Sequence, residues 1–217
     1  DSISSLRGIA PLQDHFSLIL IPIAYIYKLV PSTLTLLAIQ SIGIASIPIL
    51  AATLIKTKIN SSKLEDSLIF CLLLSPVLFL ANIANFHPEV VSVPIMLITL
   101  SEVDRKRSLP YYISLILSLM AKKAQVLFSF GAGIYCLFKS RYIKGGSTIL
   151  ISILWWSVAE NFTNVGGDYI KDRLGYLGES RLSIINSIFT EPWKIFSQAP
   201  PETIILYSIG LMLPFIA

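Results

Sequence analysis

Long apolar runs alternate with short polar segments along most of the chain, and this pattern predicts an all-helical membrane protein. Two runs, Thr33–Ile55 and Leu64–Ala84, reach the roughly 20 residues that a helix needs to span a bilayer. Shorter apolar runs occupy Phe16–Val30, Glu89–Val103, Leu109–Ala121, Ala124–Phe138 and Ser147–Ala159. We therefore expect an all-α polytopic transmembrane bundle in which some helices are short or re-entrant.

Prolines subdivide these runs in two ways. Pro31, Pro88 and Pro110 stand at or near the starts of runs, where proline suits the first turn of a helix. Four further prolines lie inside runs and predict kinks: Pro22, Pro48, Pro76 and Pro94.

The composition is typical of an integral membrane protein. It is 54% hydrophobic and only 14% charged, with a mean hydropathy of +0.72, whereas soluble domains carry about 25% charged residues. The net charge of +4 is too small to argue for nucleic acid as a partner. Cys71 and Cys136 lie inside apolar runs without metal-ligand spacing, so we expect both to act as small hydrophobic side chains.

Three clusters of basic residues predict the orientation in the membrane. Because cytoplasmic loops are enriched in lysine and arginine, all three should lie on the cytoplasmic side. The clusters are Lys56, Lys58 and Lys63; Arg105, Lys106 and Arg107; and Lys139, Arg141 and Lys144.

This orientation fixes a path for the chain. Residues 109–138 must return to the side they left, so they should form a helical hairpin with Lys122 and Lys123 at its tip. Residues 16–30 then suit an interfacial or re-entrant helix within an outer segment, 1–32. We expect residues 1–217 to be a fragment of a single transmembrane domain, with membrane helices over 33–159, an extracytoplasmic segment over 160–202 and a further helix starting at 203.

Both histidines then fall on the outer face, each near a carboxylate. Asp14 precedes His15, and Glu89 follows His87 by two residues. A carboxylate beside an imidazole sets its tautomer, and the pair can supply a general base, so the two pairs could line one outer cavity. The alternatives are structural: Asp14 suits an N-cap, and Glu89 suits the first turn of a helix.

Further candidates are cationic or aromatic. Lys122 and Lys123 lie between apolar runs, where they need water or an anion; a phosphate or lipid head group would satisfy them, and so would snorkelling at the hairpin tip. Arg173 and Tyr176 lie in a glycine-punctuated outer segment that suits a phosphate or sugar ligand, with a solvated loop as the alternative.

Several motifs together resemble one family. Asp14-His15-Phe16-Ser17, the following Leu-Val-Pro-Ser-Thr-Leu-Thr-Leu-Leu at 29–37 and Asn85-Phe86-His87-Pro88-Glu89 are similar to the bacterial multi-pass family called domain of unknown function 2079. The segment 173–180 and Glu191-Pro192 add to the likeness, which covers nearly the whole chain. That family is grouped with GT-C type membrane glycosyltransferases, so the resemblance implies a GT-C-like fold, a polyprenyl-phosphate-linked sugar donor and an active site on the extracytoplasmic face.

The resemblance assigns roles to the candidate residues. Asp14 or Glu89 would act as the base, His15 and His87 would orient it, and Lys122, Arg173 and Tyr176 would bind the substrate. No cofactor is assigned, although the resemblance leaves room for a divalent cation. The implied partners are membrane lipids, the lipid-linked donor and other membrane proteins, and the implied location is a bacterial inner or cyanobacterial membrane.

The chain departs from the family pattern at the predicted hairpin tip. Relatives show Lys-Glu-Asp there, and this chain has Lys122-Lys123-Ala124; a milder difference is Leu18, where relatives have proline. The loss of two acidic positions favours a second hypothesis, a non-catalytic membrane subunit that retains the fold. A third is a transporter of a lipid-linked or anionic solute, for which internal inverted repeats would be evidence.

Overall fold

The computed structural model describes five stretches of the chain and shows them to be helical. They are residues 16–56, 61–83, 85–105, 107–163 and 174–216, and none of them contains a β-strand. The all-helical class expected from the apolar runs is therefore confirmed. The chain divides into two compact units, with the boundary after Thr163.

The first unit contains eight α-helices in its described residues. They are α1 (Leu20–Leu29), α2 (Thr33–Lys56), α3 (Ser62–Leu73), α4 (Pro76–Ile83), α5 (Pro88–Ser101), α6 (Leu109–Leu119), α7 (Gln125–Phe138) and α8 (Tyr142–Thr163). The second unit contains α9 (Arg181–Thr190), α10 (Pro201–Ile216) and two short 3-10 helices, Gly175–Leu177 and Pro192–Phe196.

Two helical stretches in the described part of the chain have the length and composition of a membrane span. They are Thr33–Lys56 and Ser62–Ile83, each with a mean hydropathy of 2.0 in its most apolar window. The second stretch is interrupted between α3 and α4, because Pro76 has no N–H to continue the helical hydrogen bonding. This interruption lies at one of the predicted kinks, whereas Pro48 and Pro94 lie inside continuous helices.

The last helix of the first unit is longer than the sequence pattern predicted. The apolar run covers 147–159, but α8 extends from Tyr142 to Thr163. Lys144, expected in a cytoplasmic loop, therefore lies in the first turn of α8, and Glu160, expected to open an outer polar segment, lies in its last turn. Both differences have the same physical cause. Lys144 and Glu160 each have a polar partner in a segment between other helices, so each can be accommodated within α8.

Contacts between side chains fix the directions of the helices. Tyr111 near the start of α6 lies 3.4 Å from Cys136 near the end of α7, measured between the hydroxyl oxygen and Sγ, so these two helices are antiparallel. Tyr111 Oη also lies 2.9 Å from Thr148 Oγ1 in the first half of α8, so α6 and α8 are parallel. The helix α5 runs antiparallel to α6, since Thr99 Oγ1 donates to Ser114 Oγ at 3.0 Å.

The helix α2 runs parallel to α5. Gln40 in the first half of α2 bonds to the backbone of His87 just before α5, and Gly43 lies against Val91. The first unit therefore has two ends. One, here called the basic end, holds the end of α2, residues 102–105, 107 and 108, and the segment 139–144.

The basic end is held together by lysine and arginine side chains that bond to backbone carbonyls. Lys144 is 7% exposed, and its Nζ donates to the carbonyl oxygens of Glu102 at 3.0 Å, Val103 at 3.2 Å and Arg105 at 2.7 Å. Arg141 donates to the carbonyl of Asp104 at 3.1 Å. A cation at the C-terminal end of α5 is favoured, because the last carbonyls of a helix have no intrahelical partners. Arg105 of the second basic cluster thus lies at the same end as Arg141 and Lys144 of the third.

Close packing of α7 against α8 depends on small residues. A Cβ atom on Gly145 would lie 2.9 Å from the carbonyl oxygen of Gly133 and 2.5 Å from Cδ2 of Leu137. Small residues of this kind let two helices approach closely, which is how helices associate in membranes.

We expect Gly145→Ala to lower the thermal stability of the protein, because the new methyl group would force the two backbones apart. Overpacking of this kind costs about 1–3 kcal/mol. Thermal unfolding of the purified protein in detergent would measure the change. Gly146→Ala is the matched control, since a Cβ there meets nothing within 4 Å, and equal melting temperatures for the two variants would contradict the packing argument.

We also expect Lys144→Met to destabilise the protein, because it removes the donor from three carbonyls at the end of α5. Leaving buried polar groups unpaired costs about 1–3 kcal/mol. The same melting experiment applies, with the exposed Lys139→Met as the control. A Lys144→Met protein as stable as the Lys139→Met protein would show that these hydrogen bonds contribute nothing.

Candidate functional site

Charged side chains from three parts of the first unit converge at the end opposite the basic end. The charged cluster consists of His87 and Glu89 at the start of α5, Lys122 and Lys123 between α6 and α7, and Glu160 in the last turn of α8. Two ion pairs join these parts: Lys122 with Glu89, 33 residues apart in sequence, and Lys123 with Glu160, 37 residues apart.

The start of α5 places the first two members. His87 has an extended backbone, with φ −127° and ψ 112°, and it stands at the N-cap of the helix that Pro88 begins. Proline suits this first helical position because it has no N–H to leave unpaired. Glu89 follows in the first turn, where the helix dipole favours a negative charge.

Gln40 fixes the backbone at this point from the neighbouring helix α2. Its side chain is fully buried, its Oε1 accepts from the His87 N–H at 2.8 Å, and its Nε2 donates to the Ala81 carbonyl at 2.8 Å. Both polar atoms of the amide are thus satisfied, as burial in apolar surroundings requires. Gln40 therefore sets the position of the His87 backbone relative to α2 and α4.

Glu89 is shared between two cationic or titratable groups. Lys122 Nζ lies 2.7 Å from Glu89 Oε1, and His87 Nδ1 lies 3.8 Å from the same oxygen. All three side chains are partly exposed: Lys122 29%, Glu89 30% and His87 51%. This part of the cluster is therefore open to a ligand.

Lys123 is held on more sides than its neighbour. Its ammonium pairs with the Glu160 carboxylate, donates to Thr163 Oγ1 at 3.0 Å and lies 4.7 Å from the centre of the Trp156 ring. A cation over an indole face gains further from the ring quadrupole. Lys123 and Glu160 are also less exposed than the first pair, at 21% and 17%.

The backbone that carries both lysines is tightly held. The carbonyls of Lys122 and Lys123 accept from the N–H groups of Gln125 and Val126, at 3.0 and 3.2 Å. The Gln125 side chain donates to Ser92 Oγ at 2.9 Å, which anchors the start of α7 on α5. The two lysines therefore point from a defined turn rather than from a loose loop.

Phe16 packs beside the cluster in a strained conformation. Its φ of 47° is unusual for a bulky residue, yet its side chain is only 5% exposed. The ring stacks on Phe162 with centroids 5.2 Å apart and meets Trp155 edge-on at 5.8 Å. Such a conformation persists when surrounding packing holds it, so these aromatic contacts fix where the chain enters α1.

The structure brings together three of the seven residues to which the sequence analysis assigned a role, His87, Glu89 and Lys122, and Lys123 lies beside them. Asp14, His15 and Arg173 lie outside the described residues. Tyr176 lies in the second unit, where its hydroxyl donates to the Ile195 carbonyl at 3.3 Å. The roles expected for all seven remain proposals.

Sequence reasoning missed two features of the site: the anchoring of its backbone by Gln40, and the pairing of Glu160 with Lys123. Gln40 had a usable signal, because it is a polar side chain in the middle of a long apolar helix, and such residues rarely face lipid. Glu160 was identified as an outer acidic residue, but nothing in its spacing indicated Lys123 as its partner.

The ion pairs show what satisfies the two lysines. Sequence reasoning offered an external anion or snorkelling to water; in the structure each lysine has a carboxylate of the same chain instead. In the described ranges, no group of three or more histidine, cysteine, aspartate or glutamate side chains is placed to hold a metal ion.

Comparison with known proteins identifies a family and nothing more specific. A family model described as "Predicted membrane protein (DUF2079)" matches residues 1–217. No curated protein and no solved structure matches the chain.

Proposed function

The chain belongs to the DUF2079 family of predicted membrane proteins, and we propose that it is a multi-pass glycosyltransferase of GT-C type. It would transfer a sugar from a polyprenyl-phosphate carrier at the extracytoplasmic face of a bacterial inner membrane. The observation that carries the proposal is that Glu89, His87 and Lys122 meet at the end of the first unit opposite its basic end. A carboxylate, an imidazole and a cation are what such a transfer uses.

The proposed extracytoplasmic position of the charged cluster is supported by the basic residues at the opposite end of the first unit. Loops rich in lysine and arginine stay in the cytoplasm, so the segments 102–108 and 139–144 belong there. The charged cluster then faces the opposite side, where polyprenyl-linked sugars are used as donors by enzymes of the GT-C type.

In the proposed reaction, Glu89 accepts the proton and Lys122 stabilises the negative charge of the leaving group. The acceptor hydroxyl attacks the anomeric carbon of the sugar and gives its proton to the Glu89 carboxylate. The bond from that carbon to the phosphate oxygen breaks, and its electron pair leaves on the polyprenyl phosphate, whose negative charge Lys122 stabilises. His87 orients Glu89. Asp14, His15, Arg173 and Tyr176 keep the roles that the family resemblance implies for them.

We expect Glu89→Gln to reduce sugar transfer by at least about 100-fold, the lower range for loss of a general base. The assay is release of polyprenyl phosphate from a radiolabelled polyprenyl-phosphate sugar in membranes containing the protein. Glu65→Gln is the matched control, because Glu65 forms a comparable pair with Lys56 at 3.3 Å near the basic end. Transfer that survives Glu89→Gln in full would exclude Glu89 as the base.

We also expect the two ends to be reached from opposite sides of the membrane. Ser108→Cys near the basic end and Asn161→Cys near the charged cluster place a cysteine at an exposed position, each in a protein that also carries Cys71→Ser. The remaining Cys136 is fully buried. A membrane-impermeant maleimide should label Asn161→Cys in intact cells and Ser108→Cys only after permeabilisation. Labelling of both, or of Ser108→Cys alone, would contradict the orientation.

A second candidate function is a non-catalytic subunit of a membrane complex. It is favoured by Lys123 and Ala124, which stand where the family pattern has two acidic residues, and by the pairing of Lys123 with Glu160. The transfer assay separates the candidates: turnover by the unaltered protein excludes the subunit role, and its absence in the intact complex favours it.

A further inference from the structure

We propose that the Glu89 carboxylate competes with a phosphate ligand for the Lys122 ammonium. When the phosphate binds to Lys122 it displaces Glu89, and the freed carboxylate can then accept a proton. This inference rests on the proposed function for the use made of the freed carboxylate. The exchange of partners at Lys122 is a separate claim with its own test.

The first support is the difference between the two adjacent lysines. Among the described residues, Lys122 has one carboxylate partner, Glu89, whereas Lys123 has the Glu160 carboxylate, the Thr163 hydroxyl and the Trp156 ring. Within the described residues, releasing the Lys122 ammonium breaks one interaction, whereas releasing the Lys123 ammonium breaks three. Lys122 is therefore the exchangeable cation and Lys123 the structural one.

The second support is that the Glu89 carboxylate has a second partner within reach. Lys122 Nζ and His87 Nδ1 both lie near its Oε1, at 2.7 and 3.8 Å. A small rotation of the Glu89 side chain can therefore move this oxygen away from Lys122 and toward His87. The backbone beneath it need not move, because the Gln40 amide holds the N–H of His87 and Pro88 begins the helix. The first turn of α5 stabilises the carboxylate after it leaves the lysine.

The third support is the balance of charge. Lys122 and Glu89 are each about a third exposed, so water screens their attraction and the pair is easily opened. A phosphate offers the ammonium a larger negative charge and several acceptor oxygens, and its charge-assisted hydrogen bonds are strong. Exchange of a carboxylate for a phosphate at Lys122 is therefore favourable. The other charged groups nearby, Lys123 and Glu160, stay paired with each other.

The exchange imposes an order on the reaction. While no phosphate is bound, Glu89 is held by Lys122 and is a poor proton acceptor. When the phosphate arrives, the same event supplies the leaving group's counter-charge and releases the base. An acceptor hydroxyl would thus be activated only when a donor is in place, which protects the carrier-linked sugar from unproductive attack.

The experiment measures phosphate binding and needs no turnover. The full chain is placed in phosphatidylcholine nanodiscs, and binding of polyprenyl monophosphate is compared for four proteins: unaltered, Glu89→Gln, Lys122→Met and Lys123→Met. Polyprenol without phosphate and inorganic phosphate are parallel probes. Thermal melting of each variant reports whether it is folded, and Lys123→Arg replaces Lys123→Met if that variant does not fold.

We expect Glu89→Gln to tighten polyprenyl monophosphate binding about fivefold or more, the lower end of ordinary coupling between linked binding events. Lys122→Met should weaken it by about tenfold, the loss of one strong charge-assisted contact. The variant at Lys123 should bind nearly as well as the unaltered protein, because its ammonium is held by Glu160, Thr163 and Trp156 and does not meet the phosphate. The exchange is identified by opposite changes in affinity: tighter binding in Glu89→Gln and weaker binding in Lys122→Met. If the pair were only structural, either substitution would weaken binding.

Several results would overturn the inference: no tightening in Glu89→Gln, equal loss at Lys122 and Lys123, or equal binding of polyprenol. The same pattern with inorganic phosphate would support the exchange and show that the phosphate alone is recognised, whereas a response to the polyprenyl ligand only would assign the site to the lipid. The expected pattern without sugar transfer would refute the proposed enzyme and leave the exchange standing.

Discussion

The first unit depends on one constraint: two adjacent lysines in a largely apolar bundle must have their charge matched. Lys122 and Lys123 leave the turn between α6 and α7 in different directions, one toward Glu89 on α5 and the other toward Glu160 on α8. Because charged groups are expensive in such surroundings, the less exposed Lys123–Glu160 pair holds the end of α8 against this turn, whereas the Lys122–Glu89 pair on the α5 side is more exposed. At the opposite end, Lys144 joins α8 to the end of α5 through backbone carbonyls rather than through a carboxylate.

The same two pairs differ in what they leave available. Lys123 is closed in by a carboxylate, a hydroxyl and an aromatic ring, so it serves the fold. Lys122 shares one partly exposed carboxylate with His87, so it retains the capacity to meet a ligand. Although Lys123 and Ala124 are not acidic, the cluster holds two carboxylates, Glu89 on α5 and Glu160 on α8.

The helical class, the starts of α5 and α6 and the interruption at Pro76 could be predicted because each depends on local chemistry: apolar length and proline. The basic clusters led to the prediction that His87, Glu89 and Lys122 share one face, and in the structure these three side chains do meet. The partners of Lys122 and Lys123 could not be predicted, because they lie 33 and 37 residues away and nothing in local spacing identifies them. The extension of α8 was missed for the same reason. In the sequence, Lys144 and Glu160 look like charged residues outside the ends of an apolar helix, and their partners are too distant in sequence to indicate otherwise.

The family identifies a predicted membrane protein, and the proposed chemistry rests on the geometry of the charged cluster. A structure determined with polyprenyl monophosphate bound tests that connection most directly. The account predicts phosphate oxygens within hydrogen-bonding distance of Lys122 Nζ, with the Glu89 carboxylate turned away from Lys122 toward His87 and the Lys123–Glu160 pair intact. A phosphate bound elsewhere, with the Lys122–Glu89 pair unchanged, would contradict it.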